Sequence, residues 1–131
     1  MARVERFEDL RAWQQARVLL KEVRAITRRP AMRRDFAFVD QMVRAARSTM
    51  ANIAEGFERR GPNEFAHHLS MSNGSNAEVR SDLYAALDAG YINDVELNAF
   101  QSLAQEVGRL VTALRNSLLR SAATATPRTR R

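Results

Sequence analysis

The sequence predicts an all-α fold, an antiparallel up-down-up-down four-helix bundle. Three observations carry this reading. Apolar residues recur at three- and four-residue steps in four long segments, and no segment shows a convincing strand pattern. Glycine and proline are scarce, at 5 and 3 in 131 residues, which disfavours a turn-rich sandwich or barrel. The connections are short, so consecutive helices lie side by side and antiparallel. The bundle is expected over residues 1–120, followed by a basic tail, 121–131, expected to be disordered.

The first helix follows Phe7-Glu8-Asp9, whose acids suit a helix amino terminus. Its seam is Leu10, Trp13, Ala16, Leu20 and Val23, and Arg28-Arg29-Pro30 stops it because proline disfavours helix in the preceding residue. The second runs from Asp35 to Glu55 with the apolar face Val39, Met42, Val43, Ala46, Met50, Ile53 and Ala54. Gly56 is expected as its left-handed cap. After the polar loop Arg59-Arg60-Gly61-Pro62-Asn63, the third helix carries Phe65, Leu69, Ser72, Asn76, Val79, Leu83 and Leu87. Gly74-Ser75 within it is expected as a close-packing site, with a helix break as the alternative. Gly90 ends this helix, and Tyr91-Ile92 is expected to fold back onto its last turn. Asn93 and Glu96 form a capping box for the fourth helix, whose seam is Phe100, Leu103, Val107, Leu110, Leu114 and Leu118.

Composition narrows the chemistry. The absence of cysteine removes disulfides, thiolate zinc sites, iron–sulfur clusters and thiol catalysis. No run approaches 18 consecutive apolar residues, so no membrane span is predicted. Met1-Ala2-Arg3-Val4-Glu5-Arg6 meets charge before any apolar run, unlike a signal peptide, and the expected compartment is the cytoplasm. The net charge is +6, and 20 of the 21 basic residues are arginine. Arginine suits phosphate because its planar fork binds bidentately, although GC-rich codon usage is the alternative source of the excess. Arg128, Arg130 and Arg131 supply half of the net charge from the tail. Antiparallel topology gathers Arg3, Arg6, Arg59, Arg60, Arg120 and these three at the end holding both termini, the expected place for a polyanion.

Two constellations stand apart from the core. Gln41, Arg44, Ser48, Asn52 and Glu55 form a polar stripe expected opposite the apolar face of the second helix, flanked by Ala37, Ala45 and Ala51. Such a hydrogen-bonding, close-packing surface suits contact with another helix or subunit, with Ser75 and Glu78 as candidate partners; an ordinary solvated face is the alternative. A carboxylate di-iron bundle needs two Glu-x-x-His motifs, and only Glu64-Phe65-Ala66-His67 is present, so no metal and no cofactor are expected. Arg60 and His67 have the loose spacing of some helical RNases, but Gly61 follows Arg60 where those enzymes usually carry a polar residue. No catalytic residue is assigned. Trp13, Phe65 and Phe100 lie on seams, whereas Phe36, Phe38, Phe57 and Tyr91 lie near helix ends.

The stretch from Gln41 to Gly56, with its Asn52-Ile53-Ala54-Glu55-Gly56 core, resembles the signature of the bacterial four-helix bundle proteins, or 23S rRNA intervening-sequence proteins. Phe7-Glu8-Asp9-Leu10-Arg11-Ala12-Trp13, Gly74-Ser75 with Glu78, and Gly90-Tyr91-Ile92 resemble it too, so the likeness covers about residues 7 to 120. Thr49-Met50 departs mildly from the pair common in the family. The resemblance implies a left-handed bundle assembling as a homopentameric ring, with no settled biochemical role. Together with the charge, it leads to a non-enzymatic, self-assembling accessory or scaffold protein that binds RNA. A protein–protein interaction module without nucleic acid is the alternative, and a metal-independent RNase a third.

Overall fold

The computed structural model describes residues 3–129, with side chains through residue 124. A 3-10 turn, Phe7–Asp9, leads into α1 (Arg11–Thr27); α2 (Pro30–Arg33) is a single turn; α3 (Phe36–Glu58), α4 (Pro62–Asp88) and α5 (Asp94–Thr129) complete the chain. The described residues contain no strand. Helix α1 packs on α3 and α5, and α4 packs on the same two, so α1 and α4 lie diagonally across an all-α bundle. Cross-helix hydrogen bonds fix the directions. Ser48 meets Ser75 while Gln41 meets Glu78, so α3 and α4 run antiparallel; Asn73 meets Thr112 while Arg80 meets Gln101, so α4 and α5 do too.

The core is continuous and built largely of small and medium side chains, with Leu19, Met42, Ile53, Leu69, Leu83 and Val107 fully buried. In α1 the buried face is Ala12, Ala16, Leu19, Val23 and Ile26, rotated from the expected seam, so that Trp13 and Leu20 lie half-buried at its edge. In α3 the buried set is Met42, Ala45, Ala46, Thr49, Ile53 and Gly56. Relative to the expected stripe this face is shifted towards Ala45 and Thr49, leaving Val39, Val43, Met50 and Ala54 half-buried, because α3 serves two neighbours, α1 and α4.

Helix ends follow local chemistry. At the end of α4, the Gly90 N–H donates to the Leu87 carbonyl and the Tyr91 N–H to the Ala86 carbonyl. That pair of bonds, with φ 81° at Gly90, is a Schellman closure and needs the left-handed backbone glycine permits. The capping box is present: the Asn93 N–H donates to Glu96 Oε1 at 3.0 Å, and the Glu96 N–H donates to Asn93 Oδ1 at 2.8 Å.

Two expectations are corrected. Gly56 does not cap α3, which continues to Glu58; the left-handed residue is Arg60, with φ 72°. Gly56 is instead where α3 and α4 touch, since a Cβ there would lie 2.7 Å from His68 Cβ and 2.9 Å from Phe65 Cδ1. Gly74 neither breaks α4 nor packs closely, for space around it is open, while its neighbour Ser75 makes the contact with α3. Helix α5 runs to Thr129, and Ala122 is buried.

Candidate functional site

The α3–α4 boundary is a polar seam. The Gln41 amide donates to Glu78 Oε1 at 3.2 Å and reaches Asp82 Oδ2 at 3.5 Å. Ser48 and Ser75 share a 2.7 Å hydrogen bond, and the Asn52 amide donates back to the Ser48 hydroxyl and carbonyl. Deeper in, the buried Ser72 hydroxyl donates to the Thr49 carbonyl at 2.7 Å. Thr49 donates to the Ala45 carbonyl, which satisfies its hydroxyl inside the core. At the far end, Glu55 accepts from Arg59 at 3.0 Å and stands 3.6 Å from His68 Nε2.

Ser75 and Glu78 are therefore the intramolecular partners of Ser48 and Gln41. The stripe borders the buried face of α3 rather than opposing it: Ser48 and Asn52 are half-buried, and Ala45 lies in the core. Its outer edge stays open. Arg44, Arg47, Ser48, Ala51, Asn52 and Glu55 line a surface groove of about 360 Å³, and Arg44 stands 3.8 Å from Asp40 on its own helix.

Charge along the seam is unevenly matched. The Arg59 guanidinium, with a smaller contribution from His68, holds the Glu55 carboxyl below the usual carboxylate range. Burial pushes Asp82 up, and the neighbouring Glu78 adds to it, against the favourable Gln41 amide. A second polar seam, unanticipated from the sequence, joins α4 to α5. Arg80 Nε donates to Gln101 Oε1 at 3.2 Å while the Gln101 amide returns a 2.8 Å bond to the Arg80 carbonyl. The Asn76 amide donates to the Ala104 carbonyl at 2.8 Å, leaving its buried Oδ1 without a partner among the described residues. The signal was the placement of Asn76 on an otherwise apolar face.

At the terminal end two of the named cations line one cavity. Arg3, Val4, Glu5, Phe57, Glu58 and Arg60 are among the residues lining a surface cavity of about 570 Å³, closed on one side by Leu118 of α5. Arg3 and Arg60 have no ion-pair partner among the described residues. Arg6 is shared by Glu8 at 3.7 Å and Asp9 at 3.8 Å, and Arg59 is paired to Glu55. Arg130 and Arg131 lie outside the described residues, and the Arg128 side chain outside those described. His67 is exposed, whereas His68 is largely buried with Nδ1 3.1 Å from the Glu64 carbonyl. Among the described residues no three His, Asp or Glu side chains cluster as a metal ion would require, and no helix is long and apolar enough to cross a membrane.

The fold and its seams define a helical-bundle protein whose polar side chains mainly join one helix to the next. Its sequence goes further: the pattern of the 23S rRNA-intervening sequence protein family matches residues 8–113, and the chain belongs to that family. The family description carries no enzymatic role. Comparison with curated proteins gives no match.

Proposed function

We propose that this is a non-enzymatic, self-assembling bundle that binds RNA as an accessory or scaffold protein. The observation that carries the reading is the meeting of Arg3, from the amino terminus, and Arg60, from the α3–α4 loop, around one cavity without ion-pair partners among the described residues. Unpaired guanidinium groups bind phosphate without first giving up a carboxylate. Arg128, Arg130 and Arg131 add three positive charges to the sequence that follows Leu118. Arg6 and Arg59 belong to the site as secondary contacts, exchanging a carboxylate for a phosphate. The family's name, which ties it to 23S rRNA, supports a role beside RNA.

Self-assembly is the second half of the proposal. The open edge of the α3 stripe, with Arg44, Asn52 and Glu55 around a shallow groove, suits a contact between copies, and a pentameric ring would repeat the basic end around an axis. Two measurements test this. Light scattering in moderately high salt should return about five times the 14.8 kDa chain mass. RNA affinity should fall steeply as salt rises, and further in the Arg3→Gln, Arg60→Gln double variant. A monomer would remove the assembly. Salt-independent binding, or none, would leave the protein–protein reading.

A further inference from the structure

The groove between α1 and α3 lies away from the terminal end and has different chemistry. Phe36, in the first turn of α3, is 79% exposed, the highest value among the exposed large apolar side chains. Phe38, two residues on, packs against Tyr91 at 6.0 Å, so this part of the bundle offers aromatic rings a place to be covered. Phe36 instead lines a groove of about 620 Å³ with Arg24 and Arg28 of α1 and Arg33 of α2; Val39 and Val43 contribute apolar wall. None of these three arginines has an ion-pair partner among the described residues. The one carboxylate lining the groove, Asp40, is 3.8 Å from Arg44. The cavity at the terminal end, by contrast, sets Glu5 and Glu58 beside its two arginines.

A cationic track beside an exposed ring is the arrangement that holds single-stranded nucleic acid: guanidinium groups follow the phosphates while a base stacks on the ring. A duplex keeps its bases covered and offers Phe36 no face. The exposed stripe Arg17, Lys21, Arg24, Arg28, at four-, three- and four-residue steps, extends the track along α1.

We propose that the α1–α3 groove is a binding site for single-stranded nucleic acid, with Phe36 stacking on a base and Arg24, Arg28 and Arg33 contacting the neighbouring phosphates. This rests on the reading of the protein as RNA-binding, but it assigns a separate place and a strand preference that the terminal arginines do not provide.

The test is fluorescence anisotropy on the full chain with two labelled probes, a short oligouridylate and an RNA duplex. Phe36→Ala should weaken oligouridylate binding about tenfold, while duplex binding and the melting temperature stay unchanged. Phe36→Trp should restore binding, with indole fluorescence quenched on adding oligouridylate. The triple variant Arg24→Gln, Arg28→Gln, Arg33→Gln should flatten the log–log salt dependence by roughly two units, at about 0.7 per phosphate contact. Wild-type oligouridylate affinity in Phe36→Ala, with loss in Arg3→Gln, Arg60→Gln, would overturn this site and leave the terminal-end reading standing. A smaller native mass in Phe36→Ala would make the groove a contact between copies and overturn it as well. Failure of the wild-type protein to bind either probe would remove both proposals.

Discussion

At the end where α1 turns into α2 and α4 into α5, Arg29 is held in a fork by the two Glu96 oxygens and also donates to the Tyr91 carbonyl at 3.2 Å. Glu96 caps α5 in the same position, and the Tyr91 hydroxyl donates to Asp35 at 2.7 Å. One connected network thus ties the α1–α2 corner, the start of α3 and the α4–α5 turn. Among the described residues no network of that extent lies at the terminal end, where Glu55 takes Arg59 and stands 3.6 Å from His68. The shape there comes from close apolar contact, with Phe57 against Phe65 at 5.9 Å and Gly56 pressed on α4, while Arg3 and Arg60 stay unpaired among the described residues. A net charge of +6 therefore does not measure the charge a protein can present. Arg29, which holds its end together, is occupied, whereas Arg3 and Arg60 at the terminal end, and Arg28 and Arg33 beside the network, have no ion-pair partner among the described residues.

If packing holds the terminal end, spoiling that packing should unfold it most readily. Gly56→Val should destabilise the fold by about 3 kcal/mol, because its side chain would enter space held by His68 and Phe65 on a neighbouring helix. Gly74→Ala is the matched control, since space there is open and alanine favours helix; it should raise stability by up to about 1 kcal/mol. Urea unfolding of both decides the matter. Equal losses would show that α4 resists any change at a glycine, and that the contact at Gly56 is not special.

A smaller effect sharpens the description of the opposite end. Glu96→Gln keeps a side chain able to accept from the Asn93 N–H but removes the charge that Arg29 grips. It should cost about 1 kcal/mol at neutral pH, modest because both side chains remain partly exposed. Arg29, with the Asn93 N–H, holds the Glu96 carboxyl below the ordinary carboxylate range. A depressed acid is stabilising above its unfolded pKa of about 4.3, and that stabilisation is lost as pH falls through the lower folded value. Wild type and Glu96→Gln should therefore differ at pH 7 and converge on acidification, in thermal melts at a series of pH values. Parallel curves would mean that the fork contributes nothing.

How much of this was legible in the sequence depends on whether one helix or two set the feature. The capping box and the turn at Gly90 were readable, because both are closed by residues a few positions apart. Gly56 was misread for the opposite reason. A glycine near the end of an apolar run suggests a cap, but here Phe57 finds Phe65 on the next helix and draws α3 two residues further. The stripe was partly legible: assigning Ser48 and Gln41 to α3 and Ser75 and Glu78 to α4 named the contact, and only the three-dimensional register decided which pairs met. The pairing of arginines was illegible, since Arg29 and Glu96 are 67 positions apart. The α1–α3 groove was hidden too, because the single turn of α2 swings Arg33 beside Arg24 and Arg28.

The smallest expected effect separates the two ends most cleanly, because stability and binding should move in opposite directions. Arg60 holds φ at 72°, a left-handed conformation that costs a residue with a Cβ roughly 1 kcal/mol. Arg60→Gly relieves that strain, although the freer unfolded chain returns part of the gain, so the net change is a stabilisation of at most about 1 kcal/mol. The same substitution removes one of the two cations at the terminal cavity that are unpaired among the described residues, and it should weaken RNA binding and lower its salt dependence. Arg60→Asn is the companion, since asparagine tolerates the left-handed region and likewise lacks the charge. Raised or unchanged melting temperatures with weaker binding in both variants would place Arg60 there for its charge, against the preference of its backbone. A clear loss of stability in both would instead make Arg60 a structural residue of the α3–α4 loop, and the terminal end would then resemble the end it is contrasted with.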